Sequence, residues 1–305
     1  MSINVTLNAA GPLPPAAAIA AAAADESRGT PFAPCRVYTT QDSPVAIEVE
    51  LHPGGPLVAI TQTAPELLEI EAQTSNFGPG YHETFIAFAR RFAARLKLAL
   101  TEPEHGDEGD YFATGDRTVL EEHMLRWAWG LAHLQVEESD RGPSSILMWL
   151  QPVTNVNDRV TFTPLGPRDP EYFRAIMNDP ARARDFFLWW DTQPTAKDRL
   201  RAALVIMWTK LTWKPPETDG ERQDTERVLA LLAQAYEADP TLEFPWREWL
   251  EALDLADEAS PCRATIESMA ARARGPRIGY RRGSVRRHLP EYSVQIPGWF
   301  REGRT

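Results

Sequence analysis

The chain has 305 residues, a formal charge of −11 at neutral pH, and 43% hydrophobic and 25% charged residues. That composition excludes a disordered chain and allows one large domain or two modest ones, either able to bury a core. Net acidity argues against broad nucleic-acid binding, which needs a basic footprint.

Residues 1–34 are rich in alanine and proline and read as a low-complexity arm, with Asn4-Val5-Thr6 able to add an edge strand and Ala16–Ala24 able to form a short helix. That alanine run is too short for a bilayer span of about 20 residues. The first basic residue, Arg28, follows the run, so a signal peptide is not expected. Cys35 and Cys262 are isolated, which suits a reducing compartment; cytoplasmic is the expected location.

Residues 45–51 alternate apolar and acidic, as a half-buried strand does, and two further short strands follow at 57–62 and 67–73. Together they predict an antiparallel meander, with Glu48, Glu50, Glu69 and Glu71 on a solvated face. A loop with Gly78 and Gly80 precedes a helix from about His82 to Ala99, whose stripe is Phe85, Phe88, Ala89, Phe92 and Leu96. A second helix starts near Thr118, where Thr118 and Glu121 have capping-box spacing. Residues 146–150 and 160–163 are expected as strands of the same sheet. The fold class is α+β: an N-terminal antiparallel sheet with two packed helices, a Trp-rich mainly helical half, and a short C-terminal β segment. The expected divisions are 1–34 (the arm), 35–165 (sheet), 166–275 (helical) and 276–305 (Arg-rich).

In the helical half, segments 195–213, 220–238, 245–253 and a helix opening at Ser260-Pro261 are expected. Glu226–Leu253, with its Asp239-Pro240 stop and aromatic second helix, resembles one unit of a tetratricopeptide repeat. No second copy follows at a spacing of about 34 residues, so it reads as a plain helical hairpin. All ten tryptophans lie at or after position 127. Most are expected in the core, but the run from Phe186 through Trp189 and Trp190 cannot all face one side of a helix. Part of it is expected to line a crevice or interface.

Candidate chemistry is sparse. The Gly78-Pro79-Gly80 loop lacks both the dinucleotide and the P-loop fingerprint, and reads as a turn. His82, near a helix N-terminus, is a weak acid–base candidate, more simply a capping or surface residue. Residues 101–116 hold six acids and no Lys or Arg. Without EF-hand spacing, Asp107, Glu108 and Asp110 read as a solvated acidic loop able to dock a basic partner. His123 and His133 lie about 80° apart on their helix and do not form a metal pair. No metal site and no cofactor are expected; His82, Asp110 and His123 stand as the weak catalytic candidates.

From Arg263 onward there are ten arginines against three glutamates, +7, while residues 1–262 carry −18. Arg281, Arg282, Arg286 and Arg287 form the densest basic cluster and the anion-binding candidate, with neutralisation of the acidic body as the simpler role.

The first-ranked function is a non-catalytic binding protein of bacterial type. It would be a toxin-neutralising (immunity) or adaptor protein whose partner-binding residues are Asp107, Glu108, Asp110, Trp189 and Trp190. Its partner would be a protein, with no membrane and no nucleic acid engaged. The alternative is a hydrolase or transferase with its site between the sheet and helical halves. A phosphate-contacting module built on the C-terminal arginines ranks third.

Overall fold

The computed structural model describes residues 3–39, 45–141, 153–155, 160–163, 165–257, 260–273, 284–288 and 293–297. The chain is α+β and divides into two units: Met1–Leu134 with Ala175–Pro194, and Gln135–Arg174 with Thr195–Thr305.

The first unit is built on a six-stranded sheet: β1 (Asn4–Ala10), β2 (Val37–Thr39), β3 (Ala46–Val49), β4 (Val58–Ala64), β5 (Leu67–Gln73) and β6 (Ala99–Thr101). The order across the sheet is β2-β3-β4-β5-β1-β6, every pairing antiparallel. The meander predicted at β3–β5 is present. In the region read as an arm the short alanine helix is present (Ala16–Ser27), but the strand is not at an edge: β1 lies between β5 and β6, with Leu7 opposite Ile70 and Ala9 opposite Leu100. The reason is its alternation. Ile3, Val5, Leu7 and Ala9 are buried while Asn4, Thr6 and Asn8 face outward or lie half-exposed, the period of a strand with one covered face.

The helices of this unit are α1 (Ala16–Ser27), α2 (Pro79–Leu96), the single turn α3 (Tyr111–Thr114) and the first part of α4 (Arg117–Arg141). Helix α1 packs on α2 and on β2 and β3. Helix α2 buries Phe85, Phe88, Ala89 and Phe92. The predicted solvated row is broken at Glu50. It is buried, and its N–H bonds to the Arg36 carbonyl at 2.9 Å, whereas Glu71 is exposed. The expected Thr118/Glu121 capping box also differs. The Asp116 carboxylate accepts the N–H groups of Thr118 (2.8 Å) and Val119 (3.4 Å), and Glu121 instead pairs with Arg117.

In the second unit, β7 (Val153–Asn155), β8 (Val160–Thr163) and β9 (Gly166–Arg168) form a separate three-stranded sheet. Residues 160–163 therefore do not extend the first sheet, and 146–150 lie outside the described residues. Helix α5 (Pro170–Asn178) spans the boundary between the units, and a 3₁₀ turn (Pro180–Phe186) belongs to the first. Helices α6 (Ala196–Thr209), α7 (Asp219–Ala238), α8 (Trp246–Ala256) and α9 (Arg263–Arg272) pack each on the next. Thr195 with Asp198 and Thr218 with Glu221 form complete capping boxes at the starts of α6 and α7. Tyr236, Phe244, Trp246 and Trp249 join α7 to α8 in a four-ring cluster, every pair of centroids 5.2–6.0 Å apart. At the C-terminal end, β10 (Ser284–His288) and β11 (Ser293–Pro297) pair antiparallel. Among the described residues no helix is long and apolar enough to cross a membrane.

Candidate functional site

The chemistry-bearing residues of the first unit gather around the N-terminus of α2. The turn before it is shaped by the segment 187–191, which lies across it. Trp189 N–H donates to the Phe77 carbonyl (2.8 Å) and Gly80 N–H to the Trp189 carbonyl (3.3 Å). Gly78 adopts φ +95°, and a Cβ at Gly80 would lie 2.2 Å from the Asp191 carbonyl oxygen. Both positions therefore require glycine, one for its dihedral and one for the close approach. The loop is a packing turn, and the Trp189 carbonyl occupies the end of α2 where an anion would bind.

His82 is neither a cap nor a surface residue. It is fully buried, with Nδ1 3.2 Å from Thr74 Oγ1 and Nε2 3.3 Å from Asp107 Oδ2. Asp107 is 4% exposed, which removes it from any docking surface. Its carboxylate accepts the N–H of Gly109 (2.9 Å) and of Phe112 (2.8 Å), and its own N–H donates to Glu102 Oε1 (2.7 Å). Burial pushes the Asp107 carboxyl up. The His82 hydrogen bond and charge and the two N–H groups outweigh that and hold it below the ordinary aspartate range. Among the acids of the predicted loop, Asp107 is thus a buried anchor, and the exposed ones form a solvated rim.

Glu104, Glu108, Asp110 and Asp116 form that rim and are exposed. Asp110 sits at φ +53° before α3, and its side chain caps nothing there. His123 is half-buried on α4, close enough to feel the charges of Glu108, Asp107 and His82. Burial lowers its pKa, and Glu108 opposes that shift in part. His82 and Asp107 are thus in contact, with Glu108 and His123 within electrostatic reach, while Asp110 is exposed. Among the described residues no group of three His, Cys, Asp or Glu is placed to hold a metal ion.

The aromatic run does not line a crevice. Phe186, Phe187, Leu188, Trp189 and Trp190 are all 8% exposed or less. Phe186 ends the 3₁₀ turn and residues 187–190 form no regular helix or strand, so no single face divides them and all five are covered. Trp189 stands edge-on to Phe32 at 5.0 Å and to Tyr81 at 6.5 Å. Trp189 and Trp190 are thus withdrawn from any partner. Burial, with Cys35 and Glu50 nearby, pushes the Tyr81 phenol far up, and its O–H donates to the Pro56 carbonyl at 3.1 Å.

Arg281 and Arg282 lie outside the described residues. Arg286 and Arg287 sit in β10, opposite Gln295 and Val294. In the second unit, a groove of about 530 Å³ opens between α8 and α9, lined in part by Arg247, Glu251, Glu267 and Ala270. None of the sequence candidates lies there.

Sequence reasoning missed Thr74 and Arg117. Arg117 is a hub: its guanidinium bonds Glu83, Glu121, the Thr192 hydroxyl and the Trp190 carbonyl, fastening the aromatic segment to α2 and α4. No local pattern announces such a partner set. Asp107 did carry a signal, because Asp-x-Gly at 107–109 is the spacing of an Asx turn. No protein-family model matches the chain, and neither does any curated protein or solved structure.

Proposed function

We propose that the chain is a non-catalytic binding protein that offers an acidic face to a basic protein partner, in a toxin-neutralising or adaptor role in a bacterial cytoplasm. The observation that carries this reading is the division of labour in the 102–116 loop. Asp107 is spent inside as the anchor, and Glu104, Glu108, Asp110 and Asp116 are left outside on a backbone held by that anchor. Carboxylates fixed before contact lose less entropy on binding, and clustered charge speeds encounter with an opposite patch. The alternative, a hydrolase or transferase, asks His82 to exchange protons with a substrate. A general base must reach the proton it abstracts, and His82 faces Thr74 and Asp107 with no exposed surface.

The test is affinity capture with the full chain, followed by direct binding of the recovered protein. A basic partner is expected. Its association rate should fall as salt rises, and the variant Glu104→Gln/Glu108→Gln/Asp110→Asn should lose it. Recovery of no partner at moderate salt, or equal binding by the triple variant, refutes the proposal.

A further inference from the structure

The loop that displays the acidic rim is tied down by carboxylates. Asp107 accepts from His82, Gly109 and Phe112; Glu102 accepts from the Asp107 N–H; Glu83 on α2 accepts from the Tyr111 hydroxyl at 3.1 Å. Of these, the Asp107 carboxylate gathers the most ties, and it loses its negative charge when it gains a proton. The sheet beneath is held differently: Val5, Leu7, Ile60 and Ile70 are fully buried, and apolar packing does not titrate.

We propose that the Asp107–His82 contact is an acid-labile latch, and that acidification frees the stretch between Gly106 and Phe112 while the sheet and α2 stay folded. The inference takes its functional meaning from the docking reading above. Freed, the rim carboxylates lose their fixed spacing, so acid would weaken partner binding through geometry as well as through charge.

The groups that face the latch set its sign. On α2 these are His82 itself, Glu83 and Arg90; on α4, His123 and Arg117, which binds Glu83; within the loop, Glu102, Glu108 and Tyr111, whose ring stands edge-on to His82 at 5.8 Å. On the β5 side stands the neutral Thr74 hydroxyl. Asp107 has a depressed pKa in the fold, so its contribution is present above the ordinary aspartate range and is lost as pH falls through the folded value. Two ties do not titrate: the Thr6 N–H to the Gly106 carbonyl (2.7 Å), at the root of the loop, and the exposed Arg90 contact with the Phe112 carbonyl (2.6 Å). The freed stretch is therefore bounded by Gly106 at one end and by Phe112 at the other.

The experiment is an amide NMR titration of the full chain from about pH 7 down to about pH 2, a range that brackets the ordinary aspartate pKa. The Gly109 and Phe112 amides report the latch, and the Leu7 and Ile70 amides report the sheet. The loop amides are expected to lose exchange protection by about tenfold to a hundredfold, the span of one charge-assisted hydrogen bond, before the sheet amides change. Asp107→Asn should show the open loop already at neutral pH, and Glu71→Gln, an exposed acid outside the latch, should titrate as the parent does. Loss of loop and sheet protection at one pH, or a loop unchanged throughout, overturns the latch. No partner enters this measurement, so its failure is distinguishable from failure of the docking proposal.

Discussion

Gly80→Ala tests the packing at the start of α2. An added Cβ would sit 2.2 Å from the Asp191 carbonyl oxygen and 2.6–2.7 Å from the Trp189 ring atoms Nε1 and Cδ1. Ordinary contact begins near 3.4 Å, so the 187–191 segment must retreat by about 1 Å. It cannot do so alone. The retreat stretches the two backbone hydrogen bonds at Phe77 and Gly80, each worth about 1 kcal/mol net. It also loosens Trp189, a fully buried ring whose complete loss would cost about 3–5 kcal/mol. Together these set the expected destabilisation at about 3–5 kcal/mol, read as a lowered urea midpoint by tryptophan fluorescence and circular dichroism. Gly220→Ala is the contrast: in the first turn of α7, its nearest neighbour to an added Cβ is 3.9 Å away. Alanine there should be neutral or stabilise by up to about 1 kcal/mol. If Gly80→Ala unfolds within about 0.5 kcal/mol of the parent, the close approach does not govern this region and the reasoning fails.

Removing the capping box with Thr195→Ala should cost about 1 kcal/mol in the unfolding of the second unit, and Thr195→Ser should restore most of it. Trp249→Ala opens the four-ring cluster and should cost about 3–5 kcal/mol, with near-ultraviolet ellipticity reduced; an unchanged spectrum would contradict the cluster. His123 is held neutral by burial, so its imidazole carbon protons should titrate below the ordinary histidine value of about 6.5. Because its folded pKa is depressed, its contribution is full above that value and is lost as pH falls, and His123→Gln should flatten that part of the stability profile.

The meander was legible because its strands alternate with one covered face. Strand β1 alternates as cleanly, yet it was hidden by the alanine and proline around it, since composition over a long window outweighed period over a short one. His82 was misplaced for a related reason. It stands three residues before Phe85 and seven before Ala89, on the same stripe, so the helix period alone puts it inside. What no period shows is that Asp107 lies opposite it. That pairing depends on the loop turning back along β1, where Asp107 bridges Val5. The buried aromatic run was unreadable for another reason. Five large residues in a row mark burial on both sides only when the covering elements come from elsewhere in the chain, here from α2 and α4.

The first unit is interrupted in sequence. Trp189 completes a hydrogen-bonded ladder with Phe77 and Gly80, and Arg117 ties the same segment to α4. On the ribosome, where synthesis runs at about 5–20 residues per second, the sheet and α2 emerge several seconds before the segment that closes them. During that interval the end of α2 and the rings of Phe77 and Tyr81 lack their cover. The forty residues of the other unit that intervene, 135–174, must leave the tunnel first. Folding of the first unit is therefore a closing of two chain-distant pieces, and a nascent chain halted before residue 187 would present an open aromatic face to chaperones.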